Sequence, residues 1–185
     1  MFFLRVFFLI AVFNSLTFGA IINESILKIH ATLLPKITFM DNDFDHKVQN
    51  QEISILIYYN ENDYSSALAL KDAIAKKYKD GIKGYTITST LQKYNTNKTP
   101  HATIIYLFPS TSKNITTLTK YATQKKQLTF AYSKDDLALG VLFALTIGSD
   151  VKPIVNLDIM KESGINLRPT LLKIAKRYQD DPSAQ

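Results

Sequence analysis

The sequence contains no cysteine. A chain without thiols has no disulfides to stabilise it and no redox switch built on them, and it offers neither a thiol nucleophile nor a cysteine ligand for a metal. Its stability must therefore come from a hydrophobic core. With 185 residues and 46% hydrophobic content, the chain can bury such a core as a single domain.

The common motifs of catalysis are missing as well. No glycine-rich loop follows a predicted strand, as phosphate binding requires, and no G-x-S-x-G nucleophile elbow occurs. The hydroxyl side chains of Ser110, Thr111 and Ser112 stand at a predicted helix start, where such groups usually cap free N–H groups. We therefore predict no catalytic residue, no cofactor and no enzymatic activity.

One acidic stretch has the composition of a metal site. DNDFDH places Asp41, Asp43 and Asp45 at alternate positions before His46, and oxygen and nitrogen groups of this kind bind cations. The spacing is that of an EF-hand start, but His46 stands where that loop needs glycine, and Glu52, at position twelve, begins a predicted strand. A solvated loop explains the stretch better, and we predict no metal site.

Apolar runs long enough to span a membrane are absent after the N-terminus. The opening MFFLRVFFLIAVFNSLTFGA carries Arg5, an apolar run over residues 6–13, and small residues for cleavage after Gly19 or Ala20. This order is typical of a secretory signal peptide. A membrane anchor is the alternative, but the run is shorter than the ~20 residues of a membrane span and is interrupted by Asn14. We expect an exported, soluble protein.

Positive charge exceeds negative charge, with a formal net charge of +6 that falls to +5 once Arg5 leaves with the signal peptide. The lysines are densest at residues 76–83 and 125–126. An anionic lipid or nucleic-acid ligand is one interpretation. Both clusters coincide with predicted helix ends, where cations interact favourably with the helix dipole. An exported protein also has little opportunity to encounter nucleic acid. We predict no nucleic-acid partner.

Two strand–loop–helix units predict the centre of the fold. Residues 52–59 (EISILIYY) and 102–108 (ATIIYLF) are almost continuously apolar, as expected of strands buried on both faces of a parallel sheet. A polar loop and a helix with one apolar face follow each strand. Those faces are Ala67, Leu70 and Ile74 in the first helix and Ile115, Leu118 and Ala122 in the second. The pattern predicts an α/β fold with a Rossmann-like, mainly parallel sheet and flanking helices, joined by further strands at 85–91 and 127–132.

The segments on either side of these units complete the prediction. A helix over residues 21–34 has its apolar side chains at Ile22, Ile26, Ile29 and Leu33 and is expected to end at Pro35. ITFM, at 37–40, is predicted to be a short strand.

Near the C-terminus, residues 141–147 and 150–157 predict an antiparallel hairpin. Because Pro153 has no N–H group, its strand is expected at the edge of the sheet. A short helix then stops at Gly164, and Pro169 begins a closing helix. The expected apolar stripe of that helix is Leu171, Leu172, Ile174, Ala175 and Tyr178. The chain thus divides into a signal peptide (1–20), one α/β domain (21–178) and a flexible tail (179–185).

Three stretches of the chain are distinctive: HATIIYLF, LTFAYSKDDLALGVLFAL and the closing PIVNLDIMKESGINLRPTLLKIAK. In these stretches and in the order of its elements, the sequence resembles the YfiR-like family of bacterial periplasmic proteins. The resemblance implies a small periplasmic dimer that binds a membrane-bound diguanylate cyclase and holds it inactive. Some members respond to redox through cysteines, which this chain lacks. Other members are linked to sensor kinases and transporters.

The leading functional hypothesis is therefore a periplasmic, non-catalytic regulator that controls a membrane signalling enzyme, either a cyclase or a sensor kinase. The partner would be a membrane protein with a periplasmic domain. An accessory subunit of an envelope machine, such as the flagellar motor, is the alternative. A solute-binding component of a transporter ranks third, because one lobe is too small for the usual two-lobed clamp.

A binding surface is expected where the two central strands end, because ligands of open parallel sheets lie beyond the carboxyl ends of the strands. Those ends are YYNEND and FPSTS. The candidate ligand-binding residues are Tyr59, Asn60, Asn62, Pro109, Ser110 and Thr111. Simple capped loops are the alternative.

We also expect a homodimer. The chain has ten tyrosines and eleven phenylalanines, and aromatic residues are enriched at interfaces. The hairpin at 141–157 is expected to leave a sheet edge that needs cover, from Pro153, from the N-terminal helix or from a second subunit.

The signal peptide leads to a first prediction. When the whole chain is expressed in a Gram-negative host, we expect periplasmic protein that begins at Ala20 or Ile21, as measured by intact mass. Leu9→Arg should abolish processing, because a charge in the apolar run blocks recognition. Recovery of the full-length mass in the membrane fraction would favour an anchor instead.

Overall fold

The computed structural model describes residues 22–96 and 101–178. The predicted signal peptide and the predicted tail lie outside the described residues. No helix in these two ranges is both long and apolar enough to cross a membrane.

In the described part of the chain, seven strands form one sheet in the order β2-β1-β3-β4-β5-β6-β7. The strands are β1 (Glu52–Tyr59), β2 (Thr86–Lys93), β3 (Ile104–Leu107), β4 (Leu128–Ala131), β5 (Phe143–Ile147), β6 (Val151–Asn156) and β7 (Lys176–Tyr178). All neighbouring pairs are parallel except β5 and β6, which form the antiparallel hairpin. The predicted Rossmann-like, mainly parallel sheet with a C-terminal hairpin is thus confirmed.

Helices cover both faces of the sheet. They are α1 (Glu24–Thr38), α2 (Phe44–Lys47), α3 (Tyr64–Lys77), α4 (Ser112–Gln124), α5 (Leu157–Ser163) and α6 (Pro169–Ile174), with short 3-10 helices at Glu61–Asp63 and Lys134–Leu139. The buried side chains of α1 and α3 belong to one core, and those of α4 belong to a second core on the opposite face. The predicted apolar faces of α3 and α4 are the buried ones.

The central strand β1 contributes to both cores. Ile55 and Ile57 pack into the core beneath α1 and α3, whereas Leu56 and Tyr58 pack into the core beneath α4. This follows from the pleat, which sends successive side chains to opposite faces. A strand covered on both faces needs apolar residues at nearly every position, which is why EISILIYY shows no alternation.

A buried histidine attaches α1 to the sheet. The Nδ1 atom of His30 lies 2.8 Å from the hydroxyl oxygen of Tyr106 on β3, and one hydrogen bond joins them. The imidazole also packs edge-on against Phe130 of β4, at 5.3 Å between ring centroids. Burial lowers the pKa of His30 to about 4. The imidazole is therefore neutral at pH 7, and it buries no charge between α1 and the sheet.

The predicted end of the first helix is wrong. α1 continues through Pro35 to Thr38, and the strand predicted at 37–40 does not form. Proline leaves one carbonyl without its helical partner, but Ile37 and Phe39 are buried in the core, and their burial outweighs that loss. The buried face is also shifted, since Leu27, Ala31 and Leu34 are buried in α1. The predicted residues Ile22, Ile26, Ile29 and Leu33 are only partly buried.

The closing helix is shorter than predicted. α6 ends at Ile174, whose side chain is 63% exposed and therefore lies off the predicted apolar stripe. The chain then extends into β7, which places Tyr178 on a strand that pairs with Ile154–Asn156 of β6.

The prediction that Pro153 marks an edge strand is consequently wrong, because β7 covers that side of β6. Pro153 is tolerated because its partner is Leu145 of β5, and the ladder with β7 begins one residue later, at Ile154. The missing N–H group therefore falls where β7 makes no pair.

Two isoleucines offer a matched test of the core. Ile74 of α3 is 1% exposed and Ile174 of α6 is 63% exposed. Ile74→Ala should lower the free energy of unfolding by about 2–5 kcal/mol, because it leaves a cavity in the core. Ile174→Ala should change it by less than about 0.5 kcal/mol. Urea unfolding followed by circular dichroism measures both, and equal effects would contradict the assigned burial.

Candidate functional site

The carboxyl ends of β1 and β3 lie side by side. The N–H of Phe108 donates to the carbonyl of Tyr58 at 3.0 Å. Beyond this hydrogen bond, both segments leave the sheet at the same edge. This parallel alignment places the loop beginning at Asn60 next to the loop beginning at Pro109. The structure therefore brings together the two segments that the sequence analysis selected.

Asn60 connects the two loops. Its Nδ2 atom donates to the carbonyl of Pro109 at 2.7 Å, and its Oδ1 atom accepts from the hydroxyl of Ser110 at 3.1 Å. The same amide nitrogen lies 3.4 Å from a carboxylate oxygen of Asp63. Asn114 of α4 donates to the Ser110 hydroxyl at 2.9 Å. The polar groups of Asn60 and Ser110 are thus engaged in holding the ends of β1 and β3 together.

The other predicted residues have separate positions. Thr111 caps α4, since its side-chain oxygen accepts from the N–H of Asn114 at 3.3 Å. Tyr59 is buried, and its ring packs against Tyr64 at 5.7 Å between centroids. Asn62 is exposed in the short 3-10 helix. The capping role expected at Thr111 is present, whereas ligand binding by these residues stays a prediction.

Two further residues at this edge escaped the sequence analysis. The hydroxyl of Tyr94, just beyond β2, donates to the carbonyl of Phe108. Its burial, and then the charges of Asp136 and Asp63, hold the pKa of Tyr94 well above its usual range. Asp136 is 8% exposed, and its Oδ2 atom is buried without a hydrogen-bond partner. The dipeptide Asp135–Asp136 in the sequence was the available clue to an unusual carboxylate.

Burial decides the charge of Asp136. It raises the pKa of Asp136 to about 6, and the neighbouring charge of Asp135 adds to the effect. A buried carboxylate is poorly solvated, and the carboxyl group therefore holds its proton more tightly than usual. The edge of the sheet therefore carries a group that titrates close to neutral pH. The negative charge of Asp136 also helps to raise the pKa of Tyr94, so these two side chains interact electrostatically.

The acidic stretch DNDFDH has a structural role that the solvated-loop interpretation missed. Asp41 and Phe44 are buried, and α2 occupies part of the stretch. The carboxylate of Asp41 accepts from the N–H of Asp43 at 3.0 Å and forms an ion pair with Lys47. Throughout residues 22–96 and 101–178, no cluster of three or more histidines and carboxylates has a geometry suited to a metal ion.

Sequence comparison identifies the family. The profile of the YfiR/HmsC-like family matches residues 36–176, about three quarters of the chain. The chain belongs to the YfiR/HmsC-like family, which is periplasmic and regulatory rather than catalytic. This confirms the resemblance found in the C-terminal third of the sequence. No curated protein sequence shows a significant match.

The fold is also similar to solved structures. A conserved domain protein from Vibrio cholerae aligns with a TM-score of 0.57 at 14% identity, over 83% of this chain and 60% of that one. CD0873, a substrate binding protein with adhesive properties from Clostridium difficile, aligns in its ligand-free, open form with a TM-score of 0.57 at 14% identity, over 82% and 59%.

A third structure, described as an ABC domain in complex with L-Trp from Streptococcus pneumonia, aligns with a TM-score of 0.52 at 15% identity, over 82% of this chain and 59% of that one. At sequence identities of 14–15%, the similarity to these three structures shows a shared fold and nothing about function. This chain spans about three fifths of the length of each of these proteins.

The raised pKa of Asp136 leads to a prediction about pH. A carboxyl group whose pKa is higher in the folded protein favours folding when protonated, so this contribution is present below about pH 4 and is lost as the pH rises through about 6. Asp136→Asn should therefore raise the melting temperature at pH 8 by a few degrees, and the difference from the parent should shrink as the pH falls to 4.

Thermal unfolding between pH 4 and pH 8 measures this effect. Asp72→Asn is the matched control, because Asp72 is exposed on α3 and its removal should leave the pH profile nearly unchanged. A parent protein as stable as Asp136→Asn at pH 8 would contradict the unfavourable burial of this carboxylate.

Proposed function

We propose that this chain is a periplasmic regulatory protein that binds the periplasmic domain of a membrane-bound signalling enzyme and controls its activity. The enzyme would be a diguanylate cyclase or a sensor kinase. The observation that carries the proposal is the match to the YfiR/HmsC-like family over residues 36–176. The mechanism is one of binding, in which the rigid α/β domain changes the activity of its partner by occupying the partner's surface.

Features of the site support a binding role over catalysis. The polar groups of Asn60 and Ser110, which stand where ligands of such sheets usually bind, are engaged with each other and with Pro109 and Asn114. A nucleophile needs a neighbouring base and a free approach, whereas Ser110 both donates and accepts within this network. Regulation through thiols does not apply, because the chain has no cysteine.

Solute binding is a second candidate, favoured by the fold likeness to a substrate binding protein and to a domain in complex with L-Trp. This chain aligns with about three fifths of each of those proteins. Clamp-type solute binding needs two lobes that close on the ligand, and the seven strands of the described residues form one sheet. The regulatory role therefore has the stronger support.

Deletion of the gene tests the proposal. If the chain restrains a cyclase, its loss should raise cellular cyclic-di-GMP several-fold, and the intact gene supplied in trans should restore the original level. The matched control is the same chain beginning at Ile21, without the predicted signal peptide. That form would remain in the cytoplasm and should not restore the level.

Two other results would redirect the proposal. Unchanged cyclic-di-GMP together with altered phosphorylation of a sensor kinase's response regulator would select the kinase as partner. Lost motility with cyclic-di-GMP and phosphorylation both unchanged would contradict regulation and favour the envelope-machine alternative.

A further inference from the structure

The open edge of the sheet is not the one that the sequence suggested. β7 covers the outer side of β6, so the hairpin needs no second subunit there. At the other end of the sheet, β2 pairs with β1 on one side, and no other strand in the described part of the chain pairs with it. β2 is eight residues long, so its outer side is a full-length edge with no partner strand among the described residues.

The hydrogen bonds to β1 show which groups of β2 point outward. The N–H of Thr86 donates to the carbonyl of Gln51, and the N–H of Tyr94 donates to the carbonyl of Tyr59. Backbone groups alternate between the two sides of a strand, so the even-numbered residues of β2 face β1. The N–H and C=O groups of Ile87, Ser89 and Leu91 therefore point away from the sheet.

Nothing in β2 protects this edge. Natural sheets blunt open edges with proline, bulges, very short strands or charges. β2 has no proline, its ladder with β1 runs without a break from Thr86 to Lys93, and its single charge, Lys93, lies at the end of the strand and pairs with Glu61. The edge at β7, by contrast, is three residues long and carries Lys176 and Arg177.

The sequence of β2 is nearly symmetrical about Ser89. Thr88 and Thr90 flank this residue, Ile87 and Leu91 come next, and two polar residues, Thr86 and Gln92, close the pattern. Ile87 and Leu91 are partly buried against the core beneath α1 and α3. Thr86, Thr88 and Thr90 are exposed, and they lie on the opposite face because side chains alternate.

We propose that β2 pairs with β2 of a second copy of this chain, antiparallel, about a two-fold axis at Ser89. In this register Ile87 lies opposite Leu91 of the second copy, and Thr88 lies opposite Thr90. The three outward-facing residues exchange about six backbone hydrogen bonds with their counterparts. Apolar pairs on one face and threonine pairs on the other are favourable cross-strand neighbours, and no like charges oppose each other. A two-fold interface requires a self-complementary surface, which the symmetrical sequence supplies.

This inference goes beyond the proposed regulation, and it is tested on the purified protein alone. The mass in solution at micromolar concentration, measured by light scattering, should be that of a dimer. Ser89→Pro should give a folded monomer, because proline removes an outward-facing N–H and leaves the bonds to β1 intact. Ser89→Ala keeps that N–H and should remain a dimer. Circular dichroism checks the folding of both variants.

Hydrogen exchange of the unmodified dimer tests the same register without a substitution. The amides of Ile87, Ser89 and Leu91 should exchange at least about tenfold more slowly in the dimer than after dilution to monomer. A monomer at every accessible concentration would overturn the proposal. So would a dimer in which these three amides exchange freely, since its interface would lie elsewhere. Protection that appears only when a different protein is added would assign the edge to that partner's strand and would equally overturn self-pairing.

Discussion

The fold depends on the requirement that β1 and β3 be covered on both faces. The side chains of β1 and β3 are almost all apolar and pack into the cores on the two faces of the sheet. Such strands are stable only when helices exclude water from each face. α1 and α3 do so on one side and α4 does so on the other. The same burial keeps His30 neutral, since no charge is tolerated where α1 meets Tyr106.

This constraint also shapes the candidate site. Because β1 and β3 end side by side, the loops that follow must satisfy their own polar groups at the margin of a dry core. Asn60 does this by bonding to Pro109 and Ser110. Asp136, in the short 3-10 helix that follows β4, has one buried carboxylate oxygen without a partner, and its burial raises its pKa. The carboxyl edge is therefore a hydrogen-bonded junction with one poorly accommodated carboxylate.

Sequence reasoning succeeded where a pattern had one structural solution. β1 was predicted to its exact bounds because a nearly continuous apolar run of this length is typical of a strand buried on both faces. It failed at α1 because this helix carries two adjacent apolar stripes, and local spacing does not reveal which one faces the sheet. It failed at Pro35 and at residues 175–178 for a related reason, since long-range packing there outweighs local preference. Tyr94 and Asp136 were missed because their burial is created by segments distant in the chain.

The sequence by itself determined the strand–helix order, the faces of α3 and α4, the absence of thiol chemistry and membership of the YfiR/HmsC-like family. These follow from composition, periodicity and local motifs, which are written along the chain. The tertiary structure alone decided that β7 covers β6, that β2 has a single neighbour among the described strands, and that Asn60 joins the two central loops. Each of these depends on which segments meet in space, and pairing between distant strands is selected by the free energy of the whole packed sheet rather than by any one segment.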